Sequence, residues 1–419
     1  MNEDLNLATE LDTQKRGNMV TLCTVFLAVA PIFDPYLLVS FGGFSLKVLD
    51  VPMLIIATLL IISAGVIFWD MKKDSILIMV VMFAMLTMIS FFAAEGSRSI
   101  INASKNCIIE LIFVISATMM WKSSSRELFI RIACKIAFWA TIFLLIQYIA
   151  VNLGFTGIFN GKIPFFEMGK HDYWAALIDP NTGDIRVHSI FQEPAYYGMY
   201  VLPIFAYTLQ NRDYKKSLFY LLGLILSSSL VAILGAVIVF IANFLLMEDE
   251  VVVKRVLKGI VIFLAILGLL AILYSQVNFV RYTVDYALER IFSVSDDLKG
   301  DRLGSNKIRL LGYIDRFVEY PTFFKIFGVG NNQFSAYLGV TSYSNTVVST
   351  ILNYGICGIL IFLACVLRWF NQIKEYRIFI VVFVLVMASD YQWVNWYFFY
   401  LVSWIVLSDS YANIRIKFK

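Results

Sequence analysis

The sequence predicts an all-α polytopic membrane protein, and three observations lead to this prediction. Of the 419 residues, 60% are hydrophobic and only 15% are charged, whereas soluble globular proteins are about half apolar and about a quarter charged. The mean hydropathy is +0.77. Several apolar runs are long enough to cross the hydrocarbon core of a bilayer. We therefore expect residues 1–419 to form a single integral membrane domain.

Apolar runs follow one another along the chain with mostly short polar connections. They cover residues 19–40, 51–69, 75–94, 101–121, 127–153, 189–209, 217–247, 257–275, 346–367, 377–389 and 395–409. The polar residues 1–18 lack the basic-then-apolar order of a cleaved signal peptide, so we expect them to form a cytoplasmic tail.

Lysine and arginine in the short connections orient these runs, because both residues concentrate in cytoplasmic loops. Basic connections lie at 72–73, 122–126, 211–216, 254–258 and 368–377, with a basic tail at 415–419. When these are placed in the cytoplasm, both termini also lie there. The outer connections are then 41–50, 95–100, 154–188, 276–345 and 390–394.

The run at 217–247 has a basic connection on each side, so it should cross the membrane an even number of times. One straight helix of this length would span more than ~45 Å, which exceeds a hydrocarbon core of ~30 Å. Two shorter helices with a hinge near Ser227–Ser229 satisfy the charge rule, and one long tilted helix is the alternative. With the hinged pair, the chain has about twelve transmembrane helices and both termini inside.

Two outer connections are long, and structureless loops of such length are uncommon and usually functional. The first covers 154–188 and the second covers 276–345. The second is expected to be largely helical, because apolar residues recur at three- and four-residue spacing in Asp285–Ile291 and Ser305–Phe317. No cytoplasmic segment carries a nucleotide-binding pattern, so we expect any chemistry on the outer face.

The most informative stretch is Arg186 to Gly198, with the sequence RVHSIFQEPAYYG. Ionisable groups at the mouth of a membrane helix are functional candidates by default. Because proline suits the first turn of a helix, we expect a helix to begin near Pro194 with Glu193 just ahead of it. If the stretch were helical throughout, Arg186 and Glu193 would share a face. Glu193 and His188 are candidate acid or base groups, although Glu193 could simply pair with Arg186 and His188 could be a rim residue.

Arginines on the outer side could form a cradle for an anionic group, since guanidinium binds phosphate bidentately. Arg302, Arg309 and Arg316 are spaced by seven residues and would lie on one stripe of a helix. Ordinary solvated ion pairs are the alternative for any one of them. The further candidates in these loops are Arg186, Arg281 and Arg290.

Metal binding is not expected. The chain has only two histidines, and its five cysteines form no CxxC pair and fall in or beside apolar runs. Aromatic side chains on the outer side are candidates for stacking on sugars, although an interfacial aromatic belt is the ordinary explanation. These candidates are Tyr173, Trp174, Tyr196 and Tyr197.

Two segments resemble a known family. FQEPAYYG at Phe191–Gly198 opens a helix on the outer face, as in Wzy-type polysaccharide polymerases. The segment Pro321–Asn331, with FGVGN, followed by SNTVVSTILNYGICG at Ser344–Gly358, resembles the closing segment shared by O-antigen polymerases and O-antigen ligases. The resemblance covers residues 186–368. Ligases of this superfamily carry a histidine where this chain has Tyr343, Ser344 and Asn345, which favours a polymerase.

The resemblance implies a GT-C-like glycosyltransferase in the bacterial plasma membrane, with its active site facing the periplasm or exterior. It would transfer a polyprenyl-pyrophosphate-linked glycan onto the non-reducing end of another lipid-linked repeat unit, without a cofactor. Glu193 or His188 would act on the acceptor hydroxyl. Arg186, Arg309 and one of Arg281, Arg290 or Arg302 would bind pyrophosphate. The four aromatic residues and Asn345 would bind glycan.

Membrane lipid and lipid-linked donor and acceptor units are the expected partners, with a flippase and a chain-length regulator as further ones. No nucleic acid is expected. The pathway, whether lipopolysaccharide, capsule or exopolysaccharide, stays open. Two alternatives remain. One is a ligase-like transferase, and the other is a flippase or transporter, for which Lys105 and Glu110 could pair within a membrane helix.

Overall fold

A computed structural model describes most of the chain, and our description is confined to these parts. They are residues 2–34, 36–41, 44–64, 75–93, 100–159, 167–168, 176–178, 185–246, 268, 274–276, 281, 314–339, 344–372 and 377–407.

The described residues are mainly helical, as predicted. The helices are Asn2–Phe33 (α1), Asp50–Ala64 (α2), Ser75–Ala93 (α3), Ile100–Lys122 (α4), Arg126–Asn152 (α5), Pro194–Gln210 (α6), Tyr214–Leu226 (α7), Leu230–Leu246 (α8), Ile314–Phe317 (α9), Thr322–Phe327 (α10), Phe334–Leu338 (α11), Thr346–Gln372 (α12), Arg377–Ser389 (α13) and Trp396–Val406 (α14).

Four of these helices are long and apolar enough to cross a membrane: Ser75–Ala93, Ala103–Lys122, Arg126–Asn152 and Thr346–Gln372. Shorter apolar helices are Gly17–Phe33, Asp50–Ile62, Leu230–Leu246, Arg377–Ser389 and Trp396–Val406. These helices support a helical membrane protein, while a total of about twelve crossings stays a prediction.

The all-α prediction was wrong in one place, because the chain contains a small antiparallel sheet. Its strands are Tyr36–Phe41 (β1), Phe44–Lys47 (β2) and Glu167–Met168 (β3), in the order β2-β1-β3. Helix α1 ends at Phe33, so the predicted apolar run to residue 40 is a helix followed by a strand. Proline at 35 disfavours a continued helix, and aromatic and β-branched residues in β1 favour a strand.

The predicted hinge at Ser227–Ser229 is confirmed, since α7 ends before these serines and α8 begins after them. Helix α8 then runs alongside α6. A Cβ on Gly198 would lie 2.7 Å from Cβ of Ala232, and a Cβ on Gly235 would lie 2.6 Å from Leu202. From the first contact to the second, the residue number rises in both helices, so α8 runs parallel to α6. Because a short turn reverses the chain between α6 and α7, α7 and α8 form a hairpin.

A second break lies inside α12, at Gly355, whose φ of 65° and ψ of −159° are not helical. A Cβ on Gly355 would lie 2.5 Å from the backbone oxygen of Ile326, and one on Gly328 would lie 2.1 Å from the backbone oxygen of Asn353. The two chain segments therefore cross backbone against backbone at two glycines. The helix bends at Gly355 and continues to Gln372.

The segment after this crossing enters the bundle between α3 and α12. Gly328 O accepts a hydrogen bond from Ser90 Oγ (2.8 Å), and Asn331 N donates to Thr87 Oγ1 (3.1 Å). Asn353, about two turns into α12, accepts from Gly330 N at 2.8 Å through its backbone oxygen. Non-helical backbone is tolerated inside an apolar bundle only when its polar groups are bonded in this way.

The second long loop contains three short helices, α9, α10 and α11, between residues 314 and 339, with non-helical segments between them. The predicted helix Asp285–Ile291 lies outside the described residues, and only the last part of Ser305–Phe317 lies within them. In that part, Arg316 is exposed and pairs with Glu319 at 3.1 Å. Arg316 therefore forms an ordinary solvated ion pair, which was the alternative to binding an anionic group for each of these arginines.

The Gly355 crossing can be tested by substitution. We expect Gly355→Ala to lower the free energy of unfolding by more than about 3 kcal/mol, because a side chain would meet backbone atoms in a backbone conformation almost confined to glycine. Gly339→Ala is the matched control, since Gly339 has the same φ of 65° and no atom near its Cβ position. It should cost about 1–2 kcal/mol. Thermal unfolding in detergent measures both, and equal losses would contradict the crossing.

Candidate functional site

Helix α6 begins at Pro194, as predicted, and Glu193 is its N-cap residue. Glu193 has extended backbone angles, φ −142° and ψ 154°, and its side chain makes no capping hydrogen bond. The residue is only 2% exposed. Because the chain before Pro194 is not helical, Arg186 and Glu193 do not share a helical face. The sequence thus places a buried carboxyl group at a helix N-terminus, where backbone N–H groups favour anions.

A tight turn holds His188 beneath this helix start. Phe191 N donates to His188 O (3.1 Å), and the imidazole Nδ1 bonds to the backbone oxygen of Phe191. A carbonyl oxygen only accepts, so Nδ1 carries the proton. His188 is fully buried, and Ser189 beside it has a φ of 62°. A positive φ at a non-glycine residue costs free energy, so other contacts must hold the turn in place.

Gln147 of α5 supplies those contacts. Its Oε1 accepts from Ser189 N (2.7 Å), and its Nε2 donates to Ser189 O (3.0 Å) and to Phe159 O (2.7 Å). Ser189 Oγ donates to Ala140 O (2.6 Å). Sequence reasoning missed Gln147, although a glutamine within an apolar helical run was a signal that could have found it.

Gln192 is the second residue that sequence reasoning missed. It is 2% exposed, and among the described residues neither polar atom of its side chain has a hydrogen-bond partner. The hydroxyl group of Tyr397 is also buried and has no hydrogen-bond partner among the described residues. Tyr397 lies close enough to Glu193 to interact with it electrostatically. Buried polar groups are nearly always bonded in native proteins. Groups of this kind beside a buried carboxyl group are suited to a polar ligand.

Asp34, at the end of α1, bonds to two further elements of this region. Its Oδ1 accepts from Lys47 Nζ of β2 (2.8 Å) and from Trp396 N at the start of α14 (3.1 Å). Asp34 is 7% exposed. Helices α6, α12 and α14 begin, and α1 ends, at the same end of the bundle. We call this end of the bundle the site end.

The connection between α13 and α14 joins the two halves of the site end. Asp390 O accepts from Thr346 N (3.1 Å) and Thr346 Oγ1 (3.0 Å), and Gln392 N donates to Thr346 Oγ1 (2.8 Å). The start of α12 is therefore fixed to the residues that precede Trp396 and Tyr397.

A third carboxyl group of this region belongs to Glu110 of α4. Its side chain faces Asn331 and Trp393. The Tyr354 hydroxyl group donates to Asn331 Oδ1 (2.9 Å), so the segment at Asn331 is held from two sides. The predicted pairing of Glu110 with Lys105 is wrong, because the Lys105 side chain is exposed and Glu110 faces the bundle residues instead.

The structure uses three of the predicted glycan-binding residues for packing or capping. Tyr196 stacks on Tyr397 with ring centroids 4.9 Å apart. Tyr197 is fully buried, and its hydroxyl group bonds to Thr141 Oγ1 (2.8 Å). Asn345 caps α12 by accepting from Val348 N at 2.8 Å. Their roles toward a glycan stay predictions, as do those of Tyr173 and Trp174, which lie outside the described residues.

Two of the predicted pyrophosphate-binding arginines are described. Arg186 is half-buried, and its backbone N donates to Leu177 O (2.8 Å), which holds together two residues in the last part of the first long loop. The guanidinium of Arg281 donates to the backbone oxygens of Tyr274 (3.2 Å) and Ser275 (3.0 Å). The other three lie outside the described residues: Arg290, Arg302 and Arg309.

Chemically, the site end offers the buried carboxyl groups of Glu193 and Asp34, the half-buried carboxyl group of Glu110 and the buried imidazole of His188. It also offers an amide and a phenol that have no hydrogen-bond partner among the described residues. Within the described parts of the chain, no cluster of histidine, cysteine, aspartate and glutamate could hold a metal ion. Such an arrangement can orient a hydroxyl group and accept its proton.

No family model matches this chain, and no curated protein sequence matches it either. The likeness to Wzy-type polymerases therefore rests on the residues quoted from Phe191–Gly198, Pro321–Asn331 and Ser344–Gly358.

The amide contacts of Gln147 can be tested by removal. We expect Gln147→Leu to lower the free energy of unfolding by about 3 kcal/mol, because it leaves two buried backbone groups of Ser189 without partners. Asn152→Leu on the same helix is the control, since its side chain is exposed and bonds only Tyr148 O. It should change stability by less than about 0.5 kcal/mol. Thermal unfolding in detergent measures both, and a neutral Gln147→Leu variant would contradict the role of the amide.

Proposed function

We propose that this chain is a Wzy-type polysaccharide polymerase. The observation that supports this best is Glu193, a buried carboxyl group at the start of α6, beside the unbonded amide of Gln192. It stands within the segment Phe191–Gly198 that resembles this family. In this proposal the protein lies in the bacterial plasma membrane with both termini in the cytoplasm, and the site end faces the periplasm or exterior.

The donor would be an oligosaccharide linked to polyprenyl pyrophosphate, and the acceptor would be the non-reducing end of a second lipid-linked repeat unit. The acceptor oxygen forms a bond to the anomeric carbon while the bond from that carbon to the pyrophosphate oxygen breaks. Polyprenyl pyrophosphate leaves with the electron pair, and the acceptor hydroxyl group loses a proton. Each repeat of this step lengthens the polymer by transfer onto a new lipid-linked unit.

Glu193 is the proposed acceptor of that proton. Its low exposure excludes bulk water from the carboxyl group, and the neighbouring Gln192 amide can orient the acceptor sugar through its unbonded donor and acceptor atoms. His188 is the alternative base. Its Nδ1 is committed to Phe191 O, so only Nε2 could take a proton from a substrate.

Arginines are proposed to stabilise the leaving pyrophosphate, since preformed positive charge placed where negative charge develops lowers the barrier. Arg186 is the described arginine closest in sequence to Glu193. The others proposed for this role are Arg281, Arg290, Arg302 and Arg309. A flippase that delivers the donor and a chain-length regulator are the proposed protein partners.

A lipid-linked oligosaccharide flippase is a second candidate, and two observations favour it. Glu110 lies within a candidate membrane helix, and α7 and α8 form a broken helical pair. Intramembrane carboxyl groups and discontinuous helices are frequent in transporters.

Incubation of the purified protein with defined lipid-linked repeat units separates these candidates. We expect a ladder of products that differ by one repeat unit. A single transfer to another acceptor would identify a ligase-like enzyme. Movement of the lipid-linked glycan across vesicles without elongation would identify a flippase.

Glu193 can be tested in the same assay. We expect Glu193→Gln to lower the polymerisation rate by about 100-fold or more, because the amide keeps the shape of the side chain but cannot accept a proton. Glu127→Gln is the matched control, since Glu127 is exposed in the first turn of α5 at the other end of the bundle. Its rate should equal that of the wild-type protein.

A Glu193→Gln variant that retains the wild-type polymerisation rate would refute the assignment of Glu193 as the base.

A further inference from the structure

A pocket with two lysines in its lining lies at the end of the bundle opposite the site end. It has a volume of about 360 Å³ and lies between α5, the end of α6 and the start of α7. Its lining includes Lys135, Trp139, Tyr207, Asn211 and Lys216. Asn211 follows the last residue of α6, whereas Glu193 precedes the first. Because α6 has 17 residues, the two regions are about 25 Å apart.

The charges around this pocket leave a net positive mouth. Asp213 caps α7 and pairs with Lys216, with Oδ2 2.7 Å from Nζ. The hydrogen bond from Lys216 lowers the pKa of the Asp213 carboxyl group, so this pair is ionised and neutral as a whole at pH 7. Lys135 on α5 is exposed, and the described residues offer it no ion-pair partner. Arg131, one turn earlier on the same helix, is also exposed.

The pocket also marks a boundary between polar and apolar surface. Beyond Lys135, α5 exposes Trp139 (66%), and beyond Lys216, α7 exposes Leu218 (68%). The two helices are neighbours at this level, since the Tyr220 hydroxyl group donates to Cys134 O at 3.4 Å. Cations followed by tryptophan and leucine along adjacent helices are typical of the level where lipid headgroups meet hydrocarbon.

We propose that this pocket binds the phosphodiester headgroup of an anionic membrane lipid, with Lys135 and Lys216 facing the phosphate and the acyl chains lying along Trp139 and Leu218. Basic pockets between membrane helices recognise anionic lipid headgroups in this way. The amide of Asn211 and the hydroxyl group of Tyr207 can donate to the remaining headgroup oxygens. The site is separate from the Glu193 region and does not depend on the function proposed above.

Native mass spectrometry of the full-length protein in detergent tests this site. Phosphatidylglycerol and phosphatidylcholine with identical acyl chains are the probes, and inorganic phosphate is the competitor. We expect the wild-type protein to retain phosphatidylglycerol preferentially. Lys135→Gln should weaken its binding about fivefold, and Lys135→Gln with Lys216→Gln should weaken it about 25-fold. Lys135→Arg should restore binding.

Lys105→Gln is the matched control, because it removes an exposed lysine from α4 near the site end. It should leave phosphatidylglycerol binding unchanged, and thermal unfolding of the lipid-free variants should match that of the wild-type protein. Equal retention of the two lipids would overturn the proposal, as would unchanged binding by the double variant. Displacement by inorganic phosphate at the same concentration would show that the pocket recognises phosphate alone, and would overturn the assignment to lipid.

Discussion

The structure depends on one constraint: a backbone that leaves the helical conformation inside an apolar bundle must have its polar groups bonded within the protein. The segment at Gly328–Gln333 meets this constraint through α3 and α12. Ser90 and Thr87 bond to it from one side, and Asn353 bonds to it from the other. Two glycines allow the close approach, because a side chain at either position would meet backbone atoms.

The same constraint explains the turn ahead of α6. Ser189 has a positive φ and is fully buried. Because it lies outside a helix, its N–H and C=O groups make no helical backbone hydrogen bonds and need other partners. Gln147 provides both, and its amide thereby fixes the turn that carries His188 and leads to Glu193. The candidate base is therefore placed by a side chain on a different helix.

Three irregular segments lie at the site end, and two of them adjoin a carboxyl group. The turn at Ser189 precedes Glu193, the segment at Asn331 faces Glu110, and the connection at Asp390 joins the starts of α12 and α14. Among the described residues, the connections at the opposite end, 123–125 and 211–213, are short, and the boundary there is basic and aromatic. This asymmetry agrees with the two proposals above, which place a chemical site at one end and a lipid headgroup site at the other.

The amino-acid sequence by itself determined the helical membrane class, the break at Ser227–Ser229 and the start of α6 at Pro194. These features follow from local causes, which are hydropathy, charge in the connections and the geometry of proline. Only the tertiary structure decided that Tyr197 is buried against α5, that Glu110 faces Asn331 instead of Lys105, and that Gln147 holds Ser189. It also decided that residues after Phe33 form a strand. Each of these depends on partners distant in the chain, which local patterns do not specify because the same side chain can be buried or exposed according to what packs against it.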